Sequence, residues 1–161
     1  MRRVKITART EEPVEGFWDL IMDVGHWTHL IKFVKFIKLS GDVRENAKFY
    51  DVTAIMWIPA VVHHKITKIE KYKQFAMEAE LPFKTGKMFQ TITIEKKGKF
   101  NYISIEIKFY ISFFLFDRII GPILELRLKD MLNGTLLKLQ EDLEAKNKRL
   151  GIVRESEIIN D

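Results

Sequence analysis

From Asp117 to Arg149 the apolar residues of this chain recur three or four apart: Ile120, Leu124, Leu128, Met131, Leu132, Leu136, Leu139 and Leu143. That is the period of an α-helix with one buried stripe. At ~1.5 Å per residue such a helix is about 50 Å long. No other segment has the pattern of a helix long enough to cover it. The stripe must therefore lie against a sheet, and nearly everything before it reads as strands.

Residues Arg3 to Arg9 alternate, with Val4, Ile6 and Ala8 on one face. Thr10-Glu11-Glu12-Pro13 suits a helix start, because proline lacks only a donor that would be orphaned there. Phe17, Trp18, Leu20, Ile21 and Val24 then form the apolar face of a short helix, which Gly25 breaks. A second short helix carries Trp27, Leu30 and Ile31. Strands follow over Val34 to Leu39, Lys48 to Ile58, Val61 to Tyr72, Gln74 to Leu81, Lys87 to Glu95 and Asn101 to Tyr110. Turns at Ser40-Gly41-Asp42, Lys84-Thr85-Gly86 and Lys96-Lys97-Gly98-Lys99 separate several of them. The last strand is the clearest: Ile103, Ile105, Ile107 and Phe109 face one side, and Tyr102, Ser104, Glu106 and Lys108 the other. Such alternation marks an antiparallel sheet with one covered face. Gly121-Pro122 and Gly134 are expected places for the long helix to bend. Residues 150–161 read as a loose tail on a single domain spanning 1–161.

The chain contains no cysteine, which removes disulfides and thiolate chemistry. Its start alternates rather than carrying an apolar run, so no secretory leader is expected and a cytoplasmic location is. The most apolar stretch, Tyr110 to Leu115, is too short for a transmembrane segment. The net charge of +5 is carried by dispersed lysines, without the arginine run or aromatic signature of nucleic-acid binding.

The order of elements, with Glu12-Pro13-Val14-Glu15-Gly16-Phe17-Trp18-Asp19-Leu20-Ile21-Met22-Asp23-Val24-Gly25-His26-Trp27, resembles the superfamily of START lipid-transfer domains, Bet v 1 allergens and polyketide cyclases. In that superfamily a proline-led helix carries an aromatic pair, then an aspartate, and a tryptophan soon afterwards. Glu12 in place of a small capping residue, and Gly16 inside the first helix, depart from the pattern. The resemblance implies an α+β helix-grip fold. A curved antiparallel sheet of about seven strands would wrap the C-terminal helix, with two short helices between strands 1 and 2 and an apolar cavity inside. It also implies a small hydrophobic partner such as a lipid, polyketide or aromatic compound.

Within that frame the expected cavity wall comprises Tyr50, Val52, Ala54 and Met56 from one strand, and Phe75 and Met77 from another. Gln90, Ile92, Ile105, Ile107 and Phe109 extend it, and the helix adds Ile120, Leu124, Leu128 and Met131. His63 and His64 are adjacent, so one points inward and one outward; Pro59 can bulge the strand and shift its register, which leaves the choice open. An inward His64 or Tyr50 would be the candidate acid–base group. Gln90 sits among Met88, Ile92 and Ile94, where a buried amide needs a partner. His26, His29 and Asp23 are too few and too weakly patterned for a metal site, so no metal and no cofactor are expected. No nucleophile elbow, phosphate loop, dinucleotide fingerprint or carboxylate pair occurs. Three functions remain: binding of a hydrophobic ligand, a cyclase or dehydratase chemistry, and a membrane or protein interaction module. The oligomeric state stays open.

Overall fold

The computed structural model describes residues 1–54, 59–149 and 156–160. Strand β1 (Arg2–Thr10) leads into α1 (Val14–Met22), a single 3-10 turn (Val24–His26) and α2 (Trp27–Leu30). The sheet continues through β2 (Val34–Leu39), β3 (Lys48–Thr53), β4 (Ala60–Glu70), β5 (Gln74–Glu80), β6 (Gly86–Lys97) and β7 (Phe100–Ile111). Helix α3 (Phe114–Arg149) follows, and β8 (Ser156–Asn160) ends the described chain. The strand order is β2-β3-β4-β5-β6-β7-β1-β8, with every pairing antiparallel. Consecutive strands are neighbours from β2 to β7, because each connection is too short to do anything but turn back. The first strand then closes against β7.

Alternation decides which face is buried. In β7, Ile103, Ile105, Ile107 and Phe109 are buried, and opposite them in β1 stand Ala8, Ile6, Val4 and Arg2. The register breaks between Val34 and Phe36 and again between Ile66 and Lys68. Irregularities of this kind add twist and bend to a sheet, which here curls around α3. The stripe read from the sequence is the one the sheet covers: Leu124, Leu128, Met131, Leu132, Leu136, Leu139 and Leu143 are buried. Full burial of a leucine such as Leu128 or Leu136 contributes about 1.5–3 kcal/mol. The seat of α1 on α3 is close. A Cβ on Gly16 would come within 2.9 Å of Leu143 Cδ2, so the glycine lets the two helices approach.

Three details differ from expectation. Helix α3 begins at Phe114 and runs through Gly121-Pro122 as one element. Gly121 is buried under Arg2, whose Nε would lie 2.2 Å from an added Cβ. Arg2 reaches across the helix to Asp117 Oδ1 and Glu125 Oε2, each at 3.2 Å, so this glycine makes room for a clamp. The tail expected to be loose instead adds a strand, as Ser156–Asn160 pairs with Thr10 through Ile6. An edge strand offers unpaired backbone groups whatever its neighbours' side chains, so side-chain pattern gave no warning of it.

The third difference is a parity. Strand β3 turns Phe49, Asp51 and Thr53 inward, leaving Tyr50 and Val52 on the outer side. The apolar alternation pointed the other way. Antiparallel neighbours share a face, and Phe49 lies opposite His64 while Tyr50 lies opposite His63. His64 is buried and His63 is exposed, which fixes the face for both strands. The polar side chains tolerate the inside because each finds a partner: Asp51 takes His64, and Thr53 Oγ1 donates to the Phe33 carbonyl at 3.3 Å. Tyr50 rests outside, against Phe36 and His63.

Candidate functional site

A cavity of about 370 Å³ lies between the sheet and α3. Each wall follows from one element. The short helix α2 and the chain after it contribute Trp27, Ile31 and Val34. Trp27 is pinned there by its indole N–H, which donates to the Ile21 carbonyl at 3.1 Å, and by edge-on contacts with Phe49 and Phe75. The curved strands give Asp51, Thr53, Val62 and His64 on one side, and Met77, Met88 and Gln90 on the other. Helix α3 roofs the space with Phe116, Ile120, Leu124, Leu128 and Met131. Leu81, Pro82, Phe83 and Ile111 border it at the end where β5 turns into β6.

A second chamber of about 50 Å³ continues inward past Trp27, Ile31, Met77, Gln90 and Met131, all of which border both spaces. Ile92, Ile105, Leu132 and Thr135 enclose it further. Gln90 therefore stands at the junction. Among the described residues its side chain makes one hydrogen bond, from Nε2 to Met88 Sδ at 3.6 Å, and a thioether is a weak acceptor.

The remaining polar groups divide sharply. Thr85 Oγ1 donates to the Pro82 carbonyl at 2.8 Å and Thr135 Oγ1 to the Met131 carbonyl at 2.9 Å, so both hydroxyls serve the local backbone. Asp51 and His64 form a pair, with Nε2 and Oδ2 2.8 Å apart. Both are more than nine-tenths buried. The His64 ring stacks on Phe49 with centroids 4.6 Å apart and planes 4° from parallel. Asp51 Oδ1 and His64 Nδ1 are buried and have no hydrogen-bond partner among the described residues. Nε2 is engaged with the carboxylate, which leaves Nδ1 as the ring nitrogen open to a guest. An oriented imidazole of this kind can accept a proton, its new charge steadied by the carboxylate behind it.

Of the residues expected from sequence, the structure brings His64, Met77, Gln90, Ile120, Leu124, Leu128 and Met131 onto the main cavity, and Ile92 and Ile105 onto the inner one. Phe75, Ile107 and Phe109 are buried in the core beside these spaces without bordering them. Tyr50 and Val52 are turned away by the parity of β3, and Ala54 lies beyond that strand's end. Met56 falls outside the described residues. The sequence reading missed Asp51 and the wall role of Trp27. Asp51 was legible only through its pairing with β4, since an aspartate flanked by Tyr50 and Val52 reads as the wet face.

His26 and His29 do approach each other, with ring centroids 5.4 Å apart, and His26 Nε2 reaches Asp142 Oδ2 at 3.3 Å. Among the described residues no three histidine, aspartate or glutamate side chains converge as a metal site would require. On the outer face Glu106 accepts from Arg3 at 2.8 Å and Lys108 at 2.9 Å. Burial would push its carboxyl upward, but the hydrogen bonds from Lys108 and Arg3 outweigh this and hold it below the usual glutamate range. Among the described residues no helix is long and apolar enough to cross a membrane.

No protein-family model matches the chain, and no curated protein matches it. Solved structures do. A START superfamily protein from Mycobacterium smegmatis superposes with a TM-score of 0.71 at 13% identity, over 89% of this chain and 97% of that one. Norcoclaurine synthase from Thalictrum flavum, in complex with dopamine and hydroxybenzaldehyde, gives 0.62 at 12% identity, over 85% of this chain and 87% of the other. The di-domain ARO/CYC protein StfQ of the steffimycin biosynthetic pathway gives 0.69 at 13% identity, over 93% of this chain and 53% of that protein. At such identities the likeness is one of fold. With its curved antiparallel sheet, paired short helices after the first strand and long C-terminal helix, the chain has the helix-grip fold that these structures share.

Proposed function

We propose that this protein binds a small, largely apolar molecule between the sheet and α3, with Gln90 and the Asp51–His64 pair fixing the orientation of its polar group. The observation that carries the reading is the cavity itself: about 370 Å³ walled mainly by side chains such as Trp27, Met77, Leu124 and Leu128. That volume lies within the range of small-molecule sites, and the few convergent polar groups are their usual complement. Affinity would come from burial of the guest's apolar surface, at about 25 cal/mol per Å². On the same fold, the Thalictrum flavum synthase is solved with two aromatic molecules, which fits a flat guest.

Native mass spectrometry of gently purified protein, with titration of an apolar fluorescent probe, tests the reading. The expected result is a bound guest or saturable probe binding that Leu128→Trp abolishes while the fold is retained. Probe binding that survives a filled cavity would place the guest elsewhere and refute the proposal.

The buried Asp51–His64 contact favours one second reading, an enzyme of cyclase or dehydratase type in which His64 removes a proton from a bound polyketide-like substrate. Tyr50 has no part in it, being turned outward. Unchanged turnover of a candidate substrate in both His64→Ala and Gln90→Leu would eliminate it.

A further inference from the structure

We propose that the end of the molecule formed by the Pro82–Lys84 turn and the first turns of α3 docks on an anionic lipid bilayer. Six of the thirteen large apolar side chains exposed among the described residues gather there. Phe83 is 93% exposed, Phe114 75%, Leu115 71% and Ile119 65%, with Phe113 and Phe116 beside them. The two segments are one surface, because Ser112 N–H donates to the Thr85 carbonyl at 2.7 Å and Phe83 and Phe116 border the same cavity. Folded soluble proteins seldom leave so many neighbouring aromatic and aliphatic groups in water, since each could be buried elsewhere at a gain. Over this stretch α3 is apolar on both its sheet side and its outer side, whereas a helix facing only water would be polar on the latter.

Charge selects the bilayer over a second copy of the chain. The acids in the first three turns of α3, Asp117 and Glu125, are both held by Arg2. Lys84 and Arg118 stand among the exposed apolar residues. Two copies pressed together would set these cations against their own kind. An interface of anionic headgroups would satisfy them while the phenylalanines enter the acyl boundary. The surface is defined by exposure and charge alone and does not depend on what the cavity holds.

Flotation with vesicles of phosphatidylcholine containing a minority of phosphatidylglycerol provides the test. Binding is expected at low ionic strength, weakening when phosphatidylglycerol is omitted or salt is raised. Phe114→Gln, Leu115→Gln and Ile119→Gln together should lower partitioning at least about tenfold, with the circular dichroism unchanged. Lys84→Glu with Arg118→Glu should abolish the preference for anionic vesicles without touching an apolar residue. No binding at low salt, or equal partitioning of the triple variant, overturns the proposal. So does a wild-type dimer in sedimentation velocity that the triple variant converts to monomer, which would make a second copy the occupant.

Discussion

Replacing His64 with leucine isolates a buried contact between two ionisable side chains. The residues His64 and Asp51 are 5% and 7% exposed, and the contact between their side chains is 2.8 Å long. The variant keeps the shape of the wall and deletes the carboxylate's only partner among the described residues, since Oδ1 already has none. Removing the histidine leaves the buried Asp51 carboxylate without its hydrogen-bond partner, and an uncompensated buried charge costs about 3–5 kcal/mol. For a domain whose whole stability is of order 5–15 kcal/mol, that is a large share. At about 2–4 °C per kcal/mol for a chain of this size, the melting temperature should fall by roughly 6–20 °C. Adding Asp51→Val removes the orphaned charge, and the double variant should recover to within about 1–2 kcal/mol of the parent. Urea denaturation followed by circular dichroism and by the fluorescence of buried Trp18 and Trp27 measures both steps. A single variant that loses less than about 1 kcal/mol, or a double variant no better than the single, would show that the two groups are not a desolvated pair.

Gly86→Ala should be as damaging as the loss of His64: an added Cβ would stand 1.9 Å from the Tyr110 carbonyl oxygen across the β6–β7 pairing, so a loss of about 3–5 kcal/mol or insoluble expression is expected in a thermal melt. Gly134→Ala should do the reverse. Nothing lies within 4 Å of its added Cβ, and the helix should gain about 0.5–1 kcal/mol; if guest entry requires α3 to bend there, stopped-flow probe binding will also slow. Glu106→Gln tests the outer-face network through pH. Its folded-state proton affinity is depressed, so its contribution is present above the ordinary glutamate value of 4.5 and is lost as pH falls through the lower folded value. The variant should therefore be less stable than the parent at pH 7, by under about 1 kcal/mol, and indistinguishable from it in acid. A stability gap that persists in acid would point to packing instead of charge.

How much of this was readable in advance depends on whether a property belongs to one segment or to two. The stripe of α3 and the inward face of β7 are properties of single segments, because each is almost purely apolar on one side. The inward residues Ile103, Ile105 and Ile107 and the helix residues Leu124, Leu128 and Met131 follow from periodicity alone. Strand β3 does not behave this way. Its two faces carry Phe49, Asp51 and Thr53 or Tyr50 and Val52, and hydropathy by itself favours the second set. The first set wins because β4 delivers His64 opposite Phe49, within reach of Asp51. An aspartate in the wall of an apolar cavity is costly alone and acceptable when paired, so the burial of Asp51 and His64 is a joint outcome of two strands. The same reasoning bears on Leu115 and Ile119. Helix α3 has one sheet to lie on, and turning the Leu128 face toward it turns these two residues out. What the sequence left illegible is thus concentrated where function is proposed: a cavity wall whose polarity needs a partner strand, and an apolar end whose partner lies outside the chain.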